Sequence, residues 1–414
     1  MYFYIILGKR QVEAMMKFEL KKIFLKPVNR ILFIILILIT IIAGVLTVKD
    51  VQYILENGDA IHGIKASHSL EEDRNKWKGY ITKDVLKKVL RENRRIEKTE
   101  KIQSKNYSKK QGIEEINSII SLAFSEYKEY DYYRVNSVRS SEAGDVYNKR
   151  ILRLKNYLNS GKERFSDAEK EFLIAQYEKM ETPLYYEYAG GWKALLDSQY
   201  MLTFMRILVV ITGFLVAGIF SDEFQLKADS VFFSSEKGRN KAIVSKIEAG
   251  FITVTSVYWS TIMVYSAIVL FSLGSGGSGC AVQTGFSNWD SIYNITYLED
   301  YLLSVTSGYI GSLFILFFAM LISAKSRSTV IAITVSFILS CAPMFLGRVT
   351  IFAKIMALFP DQLLRVNKSL EECKLYEIGG KVMGFITIII PLYLILFIIL
   401  VPVLYRVYKK TEIK

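Results

Sequence analysis

Residues 31–48 read ILFIILILITIIAGVLTV, a run without a single charged side chain. A helix rises 1.5 Å per residue, so about 20 apolar residues cover the roughly 30 Å of hydrocarbon in a bilayer. Five more runs of this kind lie in the second half of the chain. The spans are expected at 30–48, 202–220, 249–272, 301–323, 328–346 and 384–405. A soluble fold has no use for six such segments. The expected fold class is therefore an α-helical integral membrane protein with six transmembrane helices, the first separated from the others by a polar stretch at 49–200.

The chain has 414 residues, 51% of them hydrophobic, and a net charge of +13. In a soluble protein that charge would point to nucleic acid. Here Lys and Arg flank the spans and meet lipid headgroups, so membrane lipids are the expected partner and nucleic acid is not. Of the three cysteines, Cys341 falls inside a span, while Cys280 and Cys373 fall in loops assigned to the outer side, which leaves a bridge between them open. The two histidines, His62 and His68, have no evident set of co-ligands, so no metal is expected.

Short basic loops orient the spans. Lys9, Arg10, Lys17, Lys21, Lys22, Lys26 and Arg30 precede span 1; Lys227, Lys237, Arg239, Lys241 and Lys246 follow span 2. Lys325 and Arg327 sit between spans 4 and 5, and Arg406, Lys409, Lys410 and Lys414 end the chain. All four groups fall on one side, which we assign to the cytoplasm together with both termini. The loop between spans 3 and 4 has no Lys or Arg, as an outer loop should. The segment between spans 5 and 6 disagrees, with Arg348, Lys354, Arg365, Lys368, Lys374 and Lys381. Parity places it outside, and Ile351–Leu364 reads as a short interfacial helix broken at Pro360.

The polar stretch is then extracellular, since long domains cross regardless of their charge. It reads mostly helical. Thr82 caps a helix through Leu86, Val89 and Leu90, and Ser166 with Glu169 makes a capping box. Tyr127, Tyr130, Tyr132 and Tyr133 read as core or interface packing ahead of a ligand surface. Tyr185, Tyr186, Tyr188 and Trp192 read as an aromatic belt before span 2.

The spans are almost free of ionisable groups. Arg206, one turn into span 2, is expected to snorkel outward. Ion-coupled carriers hold the coupling ion on Asp, Glu or His within the bilayer; none stands mid-span, so energy for transport has to come from elsewhere, or none is used. The chain has no GxxxxGK[ST] motif. Gly274-Ser275-Gly276-Gly277-Ser278-Gly279 matches GxGxxG only by letter and reads as a flexible loop. No nucleophile–base set can be assembled, so the chain is not expected to be an enzyme.

Two elements on the cytoplasmic side exceed what an anchor needs. Met16, Leu20, Ile23 and Phe24 share one helix face before Pro27, which predicts an amphipathic elbow helix on the inner membrane surface. The segment 221–250, SDEFQLKADSVFFSSEKGRNKAIVSKIEAG, is far longer than a turn. Asp222, Glu223, Phe224 and Asp229 precede Phe232 and Phe233, which read as exposed, and Gly238-Arg239 makes a turn. A short helix with acids and aromatics under the membrane suits docking into the cleft of a soluble partner.

In this layout the chain resembles the permease subunits of ABC-2 type ATP-binding cassette transporters. The pattern Glu223, Ser234-Ser235, Gly238-Arg239 and Lys246 is similar to that family's coupling loop. Trp77-Lys78-Gly79-Tyr80-Ile81-Thr82 and Gly191-Trp192-Lys193 are similar to a Gram-positive subset with a large extracellular domain between spans 1 and 2. The resemblance implies three regions: 1–48, elbow helix and span 1; 49–200, extracellular domain; 201–414, spans 2–6 with the coupling loop 221–250. It implies contact with an ABC ATPase through Asp222, Glu223, Phe224, Asp229, Phe232, Phe233 and Arg239. It implies a second permease copy or a sister chain, with Ser304, Gly308 and Ser312 as a small-residue stripe for helix or dimer packing. ATP and magnesium would belong to the partner, and this chain would carry no cofactor. Export of an amphipathic peptide, drug or lipid-like substrate from the plasma membrane is the implied activity. A membrane-anchored sensor or adaptor, or a mechanotransmitting subunit, is the alternative.

Overall fold

Two of the six apolar helices are packed on most sides and the rest wrap them. The computed structural model describes residues 2–100, 102–197, 199–235, 238–346, 356–372 and 374–411, with side chains described from Val12 onward and not at Gln103. Among them six helices are long and apolar enough to cross a membrane: span 1, Pro27–Asp50; span 2, Tyr200–Gln225; span 3, Lys241–Leu273; span 4, Tyr297–Ser326; span 5, Thr329–Leu346; and span 6, Phe385–Lys409. In spans 2 and 4, 67% and 61% of the most apolar window is buried, against 22% in spans 5 and 6. Spans 2 and 4 therefore form the centre, and spans 1, 5 and 6 turn apolar faces outward.

Helix ends follow local chemistry. Lys26 leaves helical geometry, with ψ 126°, and Pro27 opens span 1 at a position where no backbone donor is needed. Gly274, at φ +90°, ends span 3. Thr296 and Glu299 form a capping box that opens span 4. The expected cap at Thr82 and the box at Ser166–Glu169 are both present. Spans 2 and 3 outrun the apolar runs, so only 226–240 of the segment 221–250 lies between them.

The close approaches are made by small residues. A Cβ on Gly308 would stand 2.6 Å from the Tyr258 hydroxyl and 3.1 Å from the Met205 sulfur. Ser304, Gly308 and Ser312 are buried inside this one chain, so the stripe serves packing between its own spans. The N-terminal helix, Tyr2–Leu25, also departs from expectation. Met16, Leu20 and Ile23 pack into the main core beside span 3, leaving Phe18, Phe24 and Leu25 as the exposed large apolar residues among its described side chains. Arg206 does not reach outward either: it faces Asp361 at 3.6 Å. Asp361 belongs to the buried 3-10 helix Pro360–Arg365, which packs against span 4, so the described part of the expected interfacial helix is internal. Residues 347–355 (with Arg348 and Lys354), Lys237, Cys373 and Lys414 lie outside the described residues, as do the side chains of Lys9 and Arg10.

The polar stretch folds into short helices with two-stranded antiparallel ribbons, Gln52–Ile54 with Ala60–His62 and Gly79–Tyr80 with Tyr185–Tyr186. Its core does not stop at residue 200. Trp289, from the connection between spans 3 and 4, is fully buried among Ile81, Leu86, Val89, Ile116 and Ile120. Ile292 joins Tyr127, Leu154, Leu173 and Tyr177 in a neighbouring cluster. Burying a Trp removes about 150–250 Å² from water, roughly 4–6 kcal/mol at ~25 cal/mol/Å², so this connection is part of the domain. Arg150 adds to the hold by donating to the carbonyls of Trp289 and Ser291, each at 2.9 Å, while its guanidinium lies 3.8 Å from the centre of the Tyr177 ring.

Two further readings are corrected here. Tyr186, Tyr188 and Trp192 are buried and no belt: the Tyr186 hydroxyl donates to Glu115 at 2.9 Å, and Trp192 Nε1 donates to the Ser275 carbonyl at 3.0 Å. The glycine-rich loop is packed in place, because a Cβ on Gly191 would stand 2.0 Å from the Gly274 carbonyl oxygen. Gly191 lets its helix backbone touch that of the loop.

Candidate functional site

Four charged side chains meet at the end of the bundle where the N-terminal helix, spans 2 and 3 and span 6 converge. Glu223 lies in the last turn of span 2. It accepts from Lys246 of span 3 at 2.7 Å, from Lys22 of the N-terminal helix at 3.0 Å and from the Tyr408 hydroxyl of span 6 at 3.4 Å. Glu19 completes the group, 3.3 Å from Lys246 and 3.4 Å from Lys22. Lys246 also donates to the Ile219 carbonyl at 2.7 Å, so its buried ammonium has three acceptors. Two ammoniums face two carboxylates, and the group is neutral. Burial works against the charge on Lys22, but Glu223 and Glu19 outweigh it and hold its pKa above the ordinary lysine value. Beside the group, Lys26 pairs with Asp222.

Residues 226–240 hang from this tie. The short helix Asp229–Ser234 is fixed by aromatic packing: Phe233 lies 5.2 Å from the Tyr408 ring and 5.0 Å from Phe232, and Phe224 lies 5.8 Å from Phe233. Arg239 clamps the return. It donates to the carbonyls of Phe233 at 3.2 Å and Lys409 at 3.1 Å, and stands over the Phe233 ring. Gly238 is required at this turn, since a Cβ there would stand 1.7 Å from the Phe232 carbonyl oxygen. Arg327, at the end of span 4, stands 4.8 Å over the Phe224 ring.

The structure thus brings Glu223, Phe224, Phe232, Phe233 and Arg239 together, with Asp222 alongside. It puts them on the inner side of the connection. Phe233 is buried and Phe232 partly so, which corrects their reading as exposed anchors: each meets the Tyr408 ring or its neighbours. Asp229 makes no side-chain hydrogen bond among the described residues. The large apolar residues turned to solvent are Leu226 and Val231, 73% and 72% exposed. Sequence reasoning passed over them, and over Glu19 and Tyr408. Glu19 carried a signal, since it sits on the face of Met16, Leu20 and Ile23 and has to meet a cation there. Tyr408 carried none.

At the opposite end, the polar domain holds a second ionic group of its own. Glu115 pairs with Arg74 at 2.7 Å and with Lys193, in the helix Gly190–Leu195, at 2.8 Å. Burial alone would raise its pKa, but Lys193 and Arg74 outweigh burial and hold it at about 2.

The chain matches no known protein family, no curated protein and no solved structure in the comparisons made with them.

Proposed function

We propose that this chain is the membrane-spanning permease subunit of an ABC-2 type transporter, exporting an amphipathic peptide, drug or lipid-like substrate with ATP hydrolysed by a separate subunit. In this reading the convergent end faces the cytoplasm, with both termini, and the polar domain lies outside the plasma membrane of a Gram-positive bacterium. A second copy or a sister chain completes the pathway.

The observation that carries the reading is the two-sided build of 226–240. Its inner side is locked to span 6 by Phe233 and Arg239, and its ends run into spans 2 and 3, which Glu223 and Lys246 tie to each other and to the N-terminal helix. Its outer side presents Leu226 and Val231 to solvent. An apolar pair on a rigid mount is what a soluble partner needs in order to push on the spans: force applied there reaches spans 2, 3 and 6 and the N-terminal helix without first deforming the connection. ATP chemistry stays in the partner. A sensor or adaptor shares the polar domain but leaves this pair with nothing to meet.

The test is affinity purification of the full chain from its native membrane after mild cross-linking. A co-purifying ATPase is expected, lost by roughly tenfold or more with Leu226→Asp and Val231→Asp, as for residues at the centre of an interface. Retention of the ATPase by both variants, or its absence from the wild-type sample, overturns the reading.

A further inference from the structure

Between the polar domain and the helix bundle lies a cavity of about 760 Å³. One wall is the first turn of span 4, where Tyr297 and Asp300 stand three residues apart and share a face. Other walls come from the helix Glu114–Phe124, from the helix Gly190–Leu195 and from the turn Gly285–Asn288.

The charges on these walls do not balance. Every cation is already engaged: Arg74 with Glu114 and Glu115 at 3.2 and 2.7 Å, Lys193 with Glu115 at 2.8 Å, and Lys368 with Glu371 at 2.7 Å. Two carboxylates remain, Asp197 and Asp300, and among the described residues neither has a Lys, Arg or His at salt-bridge distance. Asp300 is only 2% exposed, and its side chain accepts a single hydrogen bond, from Ser304 Oγ at 3.2 Å. A buried carboxylate without a counter-charge is costly unless it takes up a proton or meets a cation. One more buried oxygen on these walls lacks a partner, Asn288 Oδ1. The wall also carries the exposed rings of Tyr130, Tyr132 and Phe286, with Tyr130 and Phe286 4.6 Å apart.

We propose that this cavity binds a primary ammonium group carried on an amphipathic molecule. The ammonium brings one positive charge and three donors to a site short of both. It donates to Asp300, with Asn288 as a further acceptor, while the apolar part of the ligand rests on Tyr130, Tyr132 and Phe286, whose faces also favour a cation. An anion would meet two uncompensated carboxylates. A metal ion lacks its ligands, because no three His, Cys, Asp or Glu groups cluster among the described residues. The ammonium has two natural sources, the side chain of a lysine-bearing peptide and the headgroup of an aminolipid.

The site is tested on the full chain alone, in phosphatidylcholine nanodiscs at physiological salt, so the result does not depend on any ATPase. The probe is a fluorescent octanoyl-tetralysine peptide read by anisotropy against empty nanodiscs. Saturable binding is expected, lost when the four lysines are acetylated. It is weakened roughly tenfold or more by Asp300→Asn and about threefold by Asn288→Leu, which lies outside the spans and keeps the fold testable. Glu126→Gln, on an exposed acid of the same domain, leaves affinity unchanged. Adding phosphatidylethanolamine to the nanodisc separates the sources: displacement of the probe assigns the ammonium to a lipid headgroup, and no displacement assigns it to a soluble amine, both in keeping with the site. Wild-type affinity in folded Asp300→Asn, equal binding of the acetylated probe, or no binding to the wild type overturns the proposal.

Discussion

The two ends of the helix bundle handle buried charge in opposite ways. At one end Glu19 and Glu223 face Lys22 and Lys246, so the group is neutral and closed. At the other end the buried Asp300 is left over, beside the exposed Asp197, after Arg74, Lys193 and Lys368 have been matched. A closed group holds helices together and asks for no ligand. An open one leaves a cost that a ligand can relieve. The same residue types therefore give a mechanical tie in one place and a binding cavity in the other.

Breaking the closed group has the largest expected effect. Lys246→Met leaves Glu19 and Glu223 with Lys22 alone, and one unpaired buried charge costs about 3–5 kcal/mol. A thermal unfolding midpoint well below wild type checks this. Removing the pair together, with Glu223→Leu and Lys246→Met, should recover most of the loss, because the penalty lies in the unpaired charge. Equal loss in both variants would mean that the cluster is not a charge-balanced tie.

Acid should reach the polar domain through Glu115. Its folded pKa of about 2 lies below the ordinary value of about 4.3. Its contribution is complete above about pH 4.5 and is lost as pH falls from there toward 2, on the order of 3 kcal/mol at most. Unfolding midpoints measured across this range should fall in the wild type and fall less steeply in Glu115→Gln. The smallest effect is expected at the open end: without ligand, Asp300→Asn should shift stability by no more than about 1 kcal/mol, and upward if at all, because it removes an uncompensated buried charge. A drop as large as that of Lys246→Met would show that Asp300 has a hidden partner and would erase the contrast between the two ends.

How much of this was legible depended on range. The spans, the caps at Thr82 and Ser166 and the break at Pro27 are local, set by a few consecutive residues, and all were readable. The coupling segment was readable as an element, but its faces were not. Phe232 and Phe233 looked exposed because they stand among Asp, Ser and Lys, while the ring that buries them, Tyr408, is about 175 residues further along the chain. The belt reading of Tyr186 and Trp192 failed for the same reason: Glu115 and Ser275, which they bond, are remote in sequence. Arg206 was expected to reach for headgroups, yet Asp361 offers it a counter-charge inside.

By itself the sequence determined that this chain is helical, has six segments able to cross a membrane and carries a polar domain after the first. Apolar length and capping are properties of consecutive residues, and the cost of exposing peptide groups to lipid leaves helices as the way for such segments to cross. Only the tertiary structure decided which charges are matched. Burial turns a modest surface attraction into a large obligation, and whether Glu223 or Asp300 meets that obligation depends on helices far apart in the chain.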